Sequence, residues 1–206
     1  MCGATNSGRR PAGAGYAARM HPELVTARAD HEAATEGWRA LVRAMSDEQA
    51  NWRPGPERWS VAQCLDHVCI VTGAVMPGLE AIVEDARARG LTAPGPFRYG
   101  WIGRWFLAAQ PSDAGRRTRT PGTYRPSASS IDLAAVTARF ESVQARFGRV
   151  VAAADGLDLA RLRVPSPALA LLRFPVGIWF RALPQHTLRH LAQAWRVRED
   201  ARFPPA

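Results

Sequence analysis

Lysine is absent from this 206-residue sequence, so all 27 of its Lys or Arg positions are arginine. That absence excludes a Schiff-base lysine and the lysine of a phosphate-binding P-loop. The arginines give a formal net charge of +9. They are scattered along the chain without a strip of interleaved aromatic residues, so we attribute the charge to composition and expect no nucleic-acid binding.

Cysteine is scarce, with residues only at Cys2, Cys64 and Cys69. This odd, low count argues against a disulfide framework, and the spacing does not match a C-x2-C zinc knuckle, so we expect Cys64 to be a core residue. No apolar run approaches the roughly 18–20 residues that span a bilayer. Arg9 and Arg10 are not followed by the apolar segment of a signal peptide. We therefore expect a cytoplasmic protein without membrane contact.

The first twenty residues lack any hydrophobic periodicity and are rich in Gly, Ala and Arg. This composition predicts a disordered tail over residues 1–20, followed by one helical domain over residues 21–206. Whether translation starts at Met1 or at Met20 stays open. The 47% hydrophobic content is that of an ordinary globular domain.

Four later segments carry apolar residues at alternating steps of three and four, which is the stripe of an amphipathic helix. Ser60 and Gln63 add the pattern of a capping box at the start of the second helix. With no convincing strand pattern, the sequence predicts an all-α fold, an antiparallel up-down four-helix bundle. A long connection, residues 91–128, joins helices two and three. The four helices are predicted at 22–45, from 60 to near Gly90, from Ser129 or Ser130 to about 150, and at about 176–199.

This long connection contains several aromatic residues that we expect to pack onto the helices, with a short helix near residues 102–109. A loop of this length inside a domain is usually functional or disordered. The aromatic residues are Phe97, Tyr99, Trp101, Trp105 and Phe106.

Two histidines lie on the apolar stripe of the fourth predicted helix. His186 and His190 are four residues apart, so they share one face. Each buried imidazole nitrogen without a partner costs about 1–3 kcal/mol, and one metal ion would satisfy both rings. His67 is the third candidate ligand because helices two and four can face each other in an antiparallel bundle. Three histidines without a fourth protein ligand leave an open coordination position, which is typical of catalytic metal sites.

Other polar residues lie close to these histidines in the sequence. Gln63 and Gln193 are each one helical turn from a histidine and are candidates to orient the rings or contact substrate. His31 on the first helix is a further candidate beside the metal, with a core histidine as the alternative. Asp66 points about 100° away from His67 on a helix and is not predicted to be a ligand.

These residues carry a resemblance to a known family. Residues 58–68 resemble the W-S-x6-H motif of the DinB-like family, and residues 186–193 resemble its H-x3-H-L-x-Q closing helix. The Tyr-Arg-Pro element at residues 124–126, before the third helix, is also typical. The resemblance covers approximately residues 22–204, and all three histidine positions match.

The resemblance implies an up-down four-helix bundle in which the three histidines bind one divalent transition metal, often in a homodimer. We expect zinc or nickel first, with iron or manganese as alternatives. The family includes thiol S-transferases and mycothiol-dependent isomerases. It therefore implies a metal-dependent enzyme that acts on a small molecule, either a low-molecular-weight-thiol S-transferase or a hydrolase. A non-catalytic helical module with a structural metal, or with none, is the alternative.

Overall fold

The computed structural model describes residues 20–108, 122–168 and 171–205. The predicted disordered tail lies outside the described residues except for Met20. Within the described ranges the protein is mostly helical, which confirms the predicted all-α class in its coarse form. The elements are α1 (Pro22–Val42), α2 (Asp47–Asn51), α3 (Val61–Ala88), α4 (Trp101–Ala108), α5 (Leu133–Ala153), β1 (Arg163–Pro165), β2 (Arg173–Pro175) and α6 (Val176–Arg198), with a short 3-10 helix at Gly122–Tyr124.

Side-chain caps define where the long helices begin. At α3 the Ser60 hydroxyl accepts from the backbone N–H of Gln63, and the Gln63 side chain accepts from the backbone N–H of Ser60, so the predicted capping box is confirmed. The cap of α5 is Asp132, not the predicted Ser129 or Ser130. The serines remain in the connection because the next residue is tied by its backbone to the side chain of Asn51 on α2.

The four long helices pack on one another around the apolar core. α3 lies against α5 and α6, and α1 lies against the same two helices. Burial of large apolar side chains drives this packing, each contributing about 1.5–3 kcal/mol. The packing of α3 on α6 places the segment that carries His67 opposite the segment that carries the other two histidines. The largest fully buried side chains are those of Trp38, Phe140, Phe147 and Phe180.

A two-stranded antiparallel ribbon in the connection before α6 was not predicted. Val164 of β1 pairs with Phe174 of β2, and both side chains are buried. The strands are only three residues long, which is too short for an alternating pattern to be visible. Val164 packs so closely on α3 that a Cβ atom at Gly78 would lie 2.7 Å from its Cγ1 atom. The glycine therefore permits the ribbon to contact the helix.

The first part of the long connection forms α4, which confirms the short helix predicted near residues 102–109. Phe106 packs as expected, with its ring stacked 4.5 Å from that of Phe174. The expectation that all the aromatic residues pack down is wrong for Trp101 and Trp105, which are 72% and 66% exposed. Only one face of this short helix contacts α6, so the opposite face stays in solvent. Residues 109–121 lie outside the described part of the chain.

Helix α3 is the one described helix that is long and apolar enough to cross a membrane by length and composition. An 18-residue window within it has a mean hydropathy of 1.4. The expectation that no apolar segment approaches the length of a membrane span is therefore wrong when hydropathy is averaged over this window. Half of that window is buried inside the protein. Since α3 also packs on α5 and α6 and contains a buried Asp66, its apolar character fits that of a core helix.

Candidate metal centre

Three buried histidines meet between α3 and α6. His67 lies in the second turn of α3, and His186 and His190 lie one turn apart on α6. One ring nitrogen of each residue lies within 4.8 Å of the others. The Nε2 atoms of His67 and His186 are only 3.2 Å apart. The structure therefore brings together the three residues that the sequence predicts as metal ligands.

Hydrogen bonds determine which nitrogen of two rings carries the proton. Nδ1 of His67 lies 2.5 Å from the backbone carbonyl oxygen of Tyr124, and Nδ1 of His190 lies 3.0 Å from the side-chain oxygen of Gln193. Both oxygens are acceptors, so each Nδ1 donates a proton and each Nε2 keeps its lone pair. This outer hydrogen bond is the usual partner of a metal-bound imidazole.

The third ring, His186, lacks such a partner, because its Nδ1 atom is buried without a hydrogen bond in the described structure. Its Nε2 atom faces the lone pair of His67. If Nε2 carries the proton, Nδ1 is an unsatisfied acceptor; if Nδ1 carries the proton, two Nε2 lone pairs face each other. A cation shared by the Nε2 atoms would remove the repulsion between lone pairs. The donor set, three neutral imidazoles, suits a divalent transition metal.

The electrostatic environment keeps the three rings neutral. Burial lowers the pKa of all three histidines, and the neighbouring histidines and Arg189 lower it further at His186 and His190. For His190 the pKa falls to about 2. Neutral rings are the form that can donate a lone pair to a metal.

The 3-10 helix and the residues that follow it contact the start of α3 next to His67. Asp66 is fully buried, and it accepts a 2.6 Å hydrogen bond from the backbone N–H of Ser127 and forms an ion pair with Arg139. Gln63 donates to the backbone carbonyl oxygen of Ala128 at 3.0 Å. These contacts hold the segment whose Tyr124 carbonyl orients His67. The helical repeat predicts that Asp66 is not a ligand, but this anchoring role depends on contacts with distant residues that the repeat does not contain.

The two glutamines therefore have different positions. Gln193 contacts His190 directly, whereas Gln63 caps α3 and binds the connecting segment without contacting a histidine ring. Its spacing of three residues from Ser60 already contained the signal for the cap.

An aromatic ring and a cation border the three histidines. The Trp59 ring lies 4.9 Å from that of His67 and is stacked 5.9 Å from that of His190. Nη2 of Arg189 lies 3.4 Å from Nε2 of His190. Arg189 was missed in the sequence, although it lies three residues after His186 and so shares its helical face.

His31 and the two described cysteines, Cys64 and Cys69, do not belong to the group of three histidines. The His31 ring packs against that of Phe147 on α5, 5.0 Å between centroids, and burial lowers its pKa. Its contacts fit the alternative of a packing histidine. Cys64 and Cys69 are buried in the apolar core, burial raises the pKa of both thiols, and neither belongs to the group of described ligand atoms that lie within 4.8 Å of one another.

Replacing Gln193 by alanine removes the acceptor of the His190 Nδ1 proton. We expect this variant to bind the metal about 10-fold more weakly, because the ring loses its fixed tautomer and orientation. Competition with a chromogenic chelator measures the affinity. Arg196→Ala, at an exposed position of the same helix, is the control and should match the wild type. Equal affinities in all three proteins would show that Gln193 does not orient the ligand.

The comparisons with known proteins agree with this arrangement. The model of the DinB superfamily matches residues 30–194, which include all three histidines. The uncharacterized protein YuaE of Bacillus subtilis (strain 168) is 24% identical over 169 residues, covering 82% of this chain and 94% of that relative. No solved structure matches the chain. Because the family model spans well over half of its length, the chain belongs to the DinB superfamily.

Proposed function

We propose that this protein is a metal-dependent enzyme in which His67, His186 and His190 bind one divalent transition metal. The observation that carries the proposal is the convergence of three buried, neutral imidazoles with their ligand atoms within 4.8 Å. An unsatisfied buried nitrogen costs about 1–3 kcal/mol. Metal binding would account for the burial of three imidazoles side by side. Zinc or nickel is expected first, with iron or manganese as alternatives, since imidazole is a ligand for several of these ions.

His67, His186 and His190 would hold the metal with an open coordination position, where it would lower the pKa of a bound water or thiol and so supply a nucleophile. The chain supplies the ligand geometry. Tyr124 and Gln193 hold the Nδ1 protons of two ligands away from the centre. The Trp59 ring packs against two of the three imidazoles, those of His67 and His190.

We favour a low-molecular-weight-thiol S-transferase over a hydrolase, as the family resemblance implies. The site has no reactive cysteine of its own, because both described cysteines are buried and protonated at neutral pH. Since neither of these two residues supplies a thiolate, we assign the role of nucleophile to a small-molecule thiol. Such a substrate would reach the centre past the half-buried Trp59, near the start of α3.

Turnover with a small thiol and an electrophile tests the function. We expect saturable loss of the free thiol with metal-loaded protein, and a fall of at least about 100-fold after treatment with a chelator, since the nucleophile is metal-generated. Ester and amide hydrolysis is measured in parallel to identify the water reaction. Equal turnover with and without metal would contradict the proposal.

The alternative is a non-catalytic helical module with a structural metal or none. Burial of all three ligands favours it, because structural sites are closed to solvent. It predicts that chelation lowers the melting temperature while no substrate is turned over in either screen. In that case the fully buried Ser60, which caps α3 beside the site, would contribute only to the stability of the fold.

The quaternary and topological expectations belong to the same proposal. The contacts of α1 and α3 with both α5 and α6 support an up-down four-helix bundle, and we expect a homodimer in the cytoplasm. Several arginines are engaged in ion pairs with acidic residues, which supports our expectation of no nucleic-acid partner and no membrane contact. The paired arginines are Arg28, Arg39, Arg89, Arg139, Arg146 and Arg202.

A further inference from the structure

Arg189 brings a positive charge to the three histidines. It lies three residues after His186 and directly before His190 on α6, and its Nη2 atom is 3.4 Å from Nε2 of His190. One N–H group of the guanidinium is therefore directed at a ring nitrogen that would bind the metal in the proposed site.

This guanidinium has no acidic partner among the described residues. The ion pairs within residues 20–108, 122–168 and 171–205 involve other arginines. Arg189 is half-buried, and burial lowers its pKa, although an arginine side chain stays charged. A charge that loses part of its contact with water is stabilised by a partner of opposite charge. Among the described residues its polar contact is the 3.4 Å approach of Nη2 to Nε2 of His190, a neutral ring that does not compensate the charge.

Metal binding would increase this imbalance. A divalent cation on the Nε2 atoms would lie next to the guanidinium, and two cations at close range in a partly buried site repel each other. An anion placed between them would be attracted by both. The position of Arg189 is thus unfavourable for a metal-loaded centre without an anion and favourable for a complex with an anionic ligand.

We propose that Arg189 binds a carboxylate or phosphate group of the substrate beside the three-histidine centre. The inference rests on the proposed function and narrows its substrate to small molecules that carry such a group near the reacting atom. The guanidinium presents a planar pair of N–H donors that matches two oxygens of either group. Arg189 is in this view a substrate-binding residue that sets specificity.

Anion binding to the cobalt(II)-loaded protein tests this assignment. Cobalt(II) reports its coordination sphere by visible absorption, so acetate, inorganic phosphate and the neutral analogue acetamide are titrated separately. We expect the two anions to shift the spectrum saturably and acetamide to have no effect. In Arg189→Gln the dissociation constant for the anions should rise at least about 10-fold, in line with the loss of a charge-assisted, bidentate contact. The stronger of the two anions identifies the group.

Arg196→Gln removes the same charge at an exposed position two turns away on the same helix, and should keep the wild-type affinity within about twofold. Circular dichroism checks that each variant is folded. Arg189→Met keeps the apolar stem without the charge and replaces the glutamine variant if that one does not fold.

The outcomes separate the two proposals. Failure of the wild-type protein to take up cobalt would overturn the metal centre and this inference with it. Uptake of cobalt with no anion effect, or with equal anion affinity in wild type and the Arg189 variant, would overturn this inference alone and leave the metal centre intact.

Discussion

Purified His190→Ala protein is expected to retain almost no metal, whereas the wild type retains about one equivalent after the same purification. In the proposed site His190 supplies one of three ligand atoms, and one of its ring nitrogens lies within 4.8 Å of a ring nitrogen of each of the other two histidines. Loss of a group that merely orients a ligand already weakens metal binding about 10–100-fold. Loss of the ligand itself should therefore weaken it by about 100-fold or more. Elemental analysis of the untagged proteins measures the stoichiometry directly.

The matched control is His31→Ala, which removes a half-buried histidine that contacts Phe147 on α5 and not the cluster. It should retain the wild-type equivalent of metal. Thermal unfolding with and without a chelator provides a second measurement, because a ligand present at 1,000 times its dissociation constant stabilises the native state by about 4 kcal/mol. The chelator should lower the melting temperature of the wild type and of His31→Ala, but not that of His190→Ala. Full metal content in His190→Ala would remove His190 from the ligand set.

The Asp66→Ala variant is expected to lose about 3 kcal/mol of unfolding free energy. Asp66 is completely buried and bonded both to the backbone N–H of Ser127 and to Arg139. Truncation leaves the N–H unsatisfied and leaves a cavity, and loss of one partner from a buried pair typically costs about 3–5 kcal/mol. The estimate lies at the lower end because Arg139 is 46% exposed and can be solvated. Urea unfolding monitored by circular dichroism measures the change.

The same variant should also bind metal about 10-fold more weakly. Without Asp66 the segment at residues 124–128 is less firmly held, and the Tyr124 carbonyl that accepts from His67 belongs to that segment. Asp85→Ala is the control, since its ion pair with Arg89 is exposed on both sides and contributes less than about 0.5 kcal/mol. Equal losses of stability in the two variants would show that Asp66 does not anchor the connection.

Local patterns allowed much of the helical structure to be predicted. The start of α3 follows from Ser60 and Gln63, because a capping box depends on two residues three positions apart. The extent of α6 follows from its periodic apolar stripe, and the common face of His186 and His190 follows from the helical repeat. These features depend on interactions within one or two turns, which the linear order of residues contains.

Features that depend on distant contacts were missed. The α5 cap moved to Asp132 because Asn51, 80 residues away from Ile131, binds the preceding backbone. The ribbon of β1 and β2 was invisible because three-residue strands carry no periodic signal. Trp101 and Trp105 resemble core residues by type, and only the position of α4 on α6 leaves them exposed.

For the candidate metal centre, residue types and the helical repeat were enough to predict imidazole donors and to place His186 and His190 on one face of a helix. That His67 lies beside them follows from the packing of α3 against α6, which no local pattern contains. Tertiary contacts also place the Tyr124 carbonyl where it accepts from His67, and leave Arg189 next to His190 without an acidic partner among the described residues. Backbone acceptors have no residue signature, and an unpaired charge is recognised only when its surroundings are known.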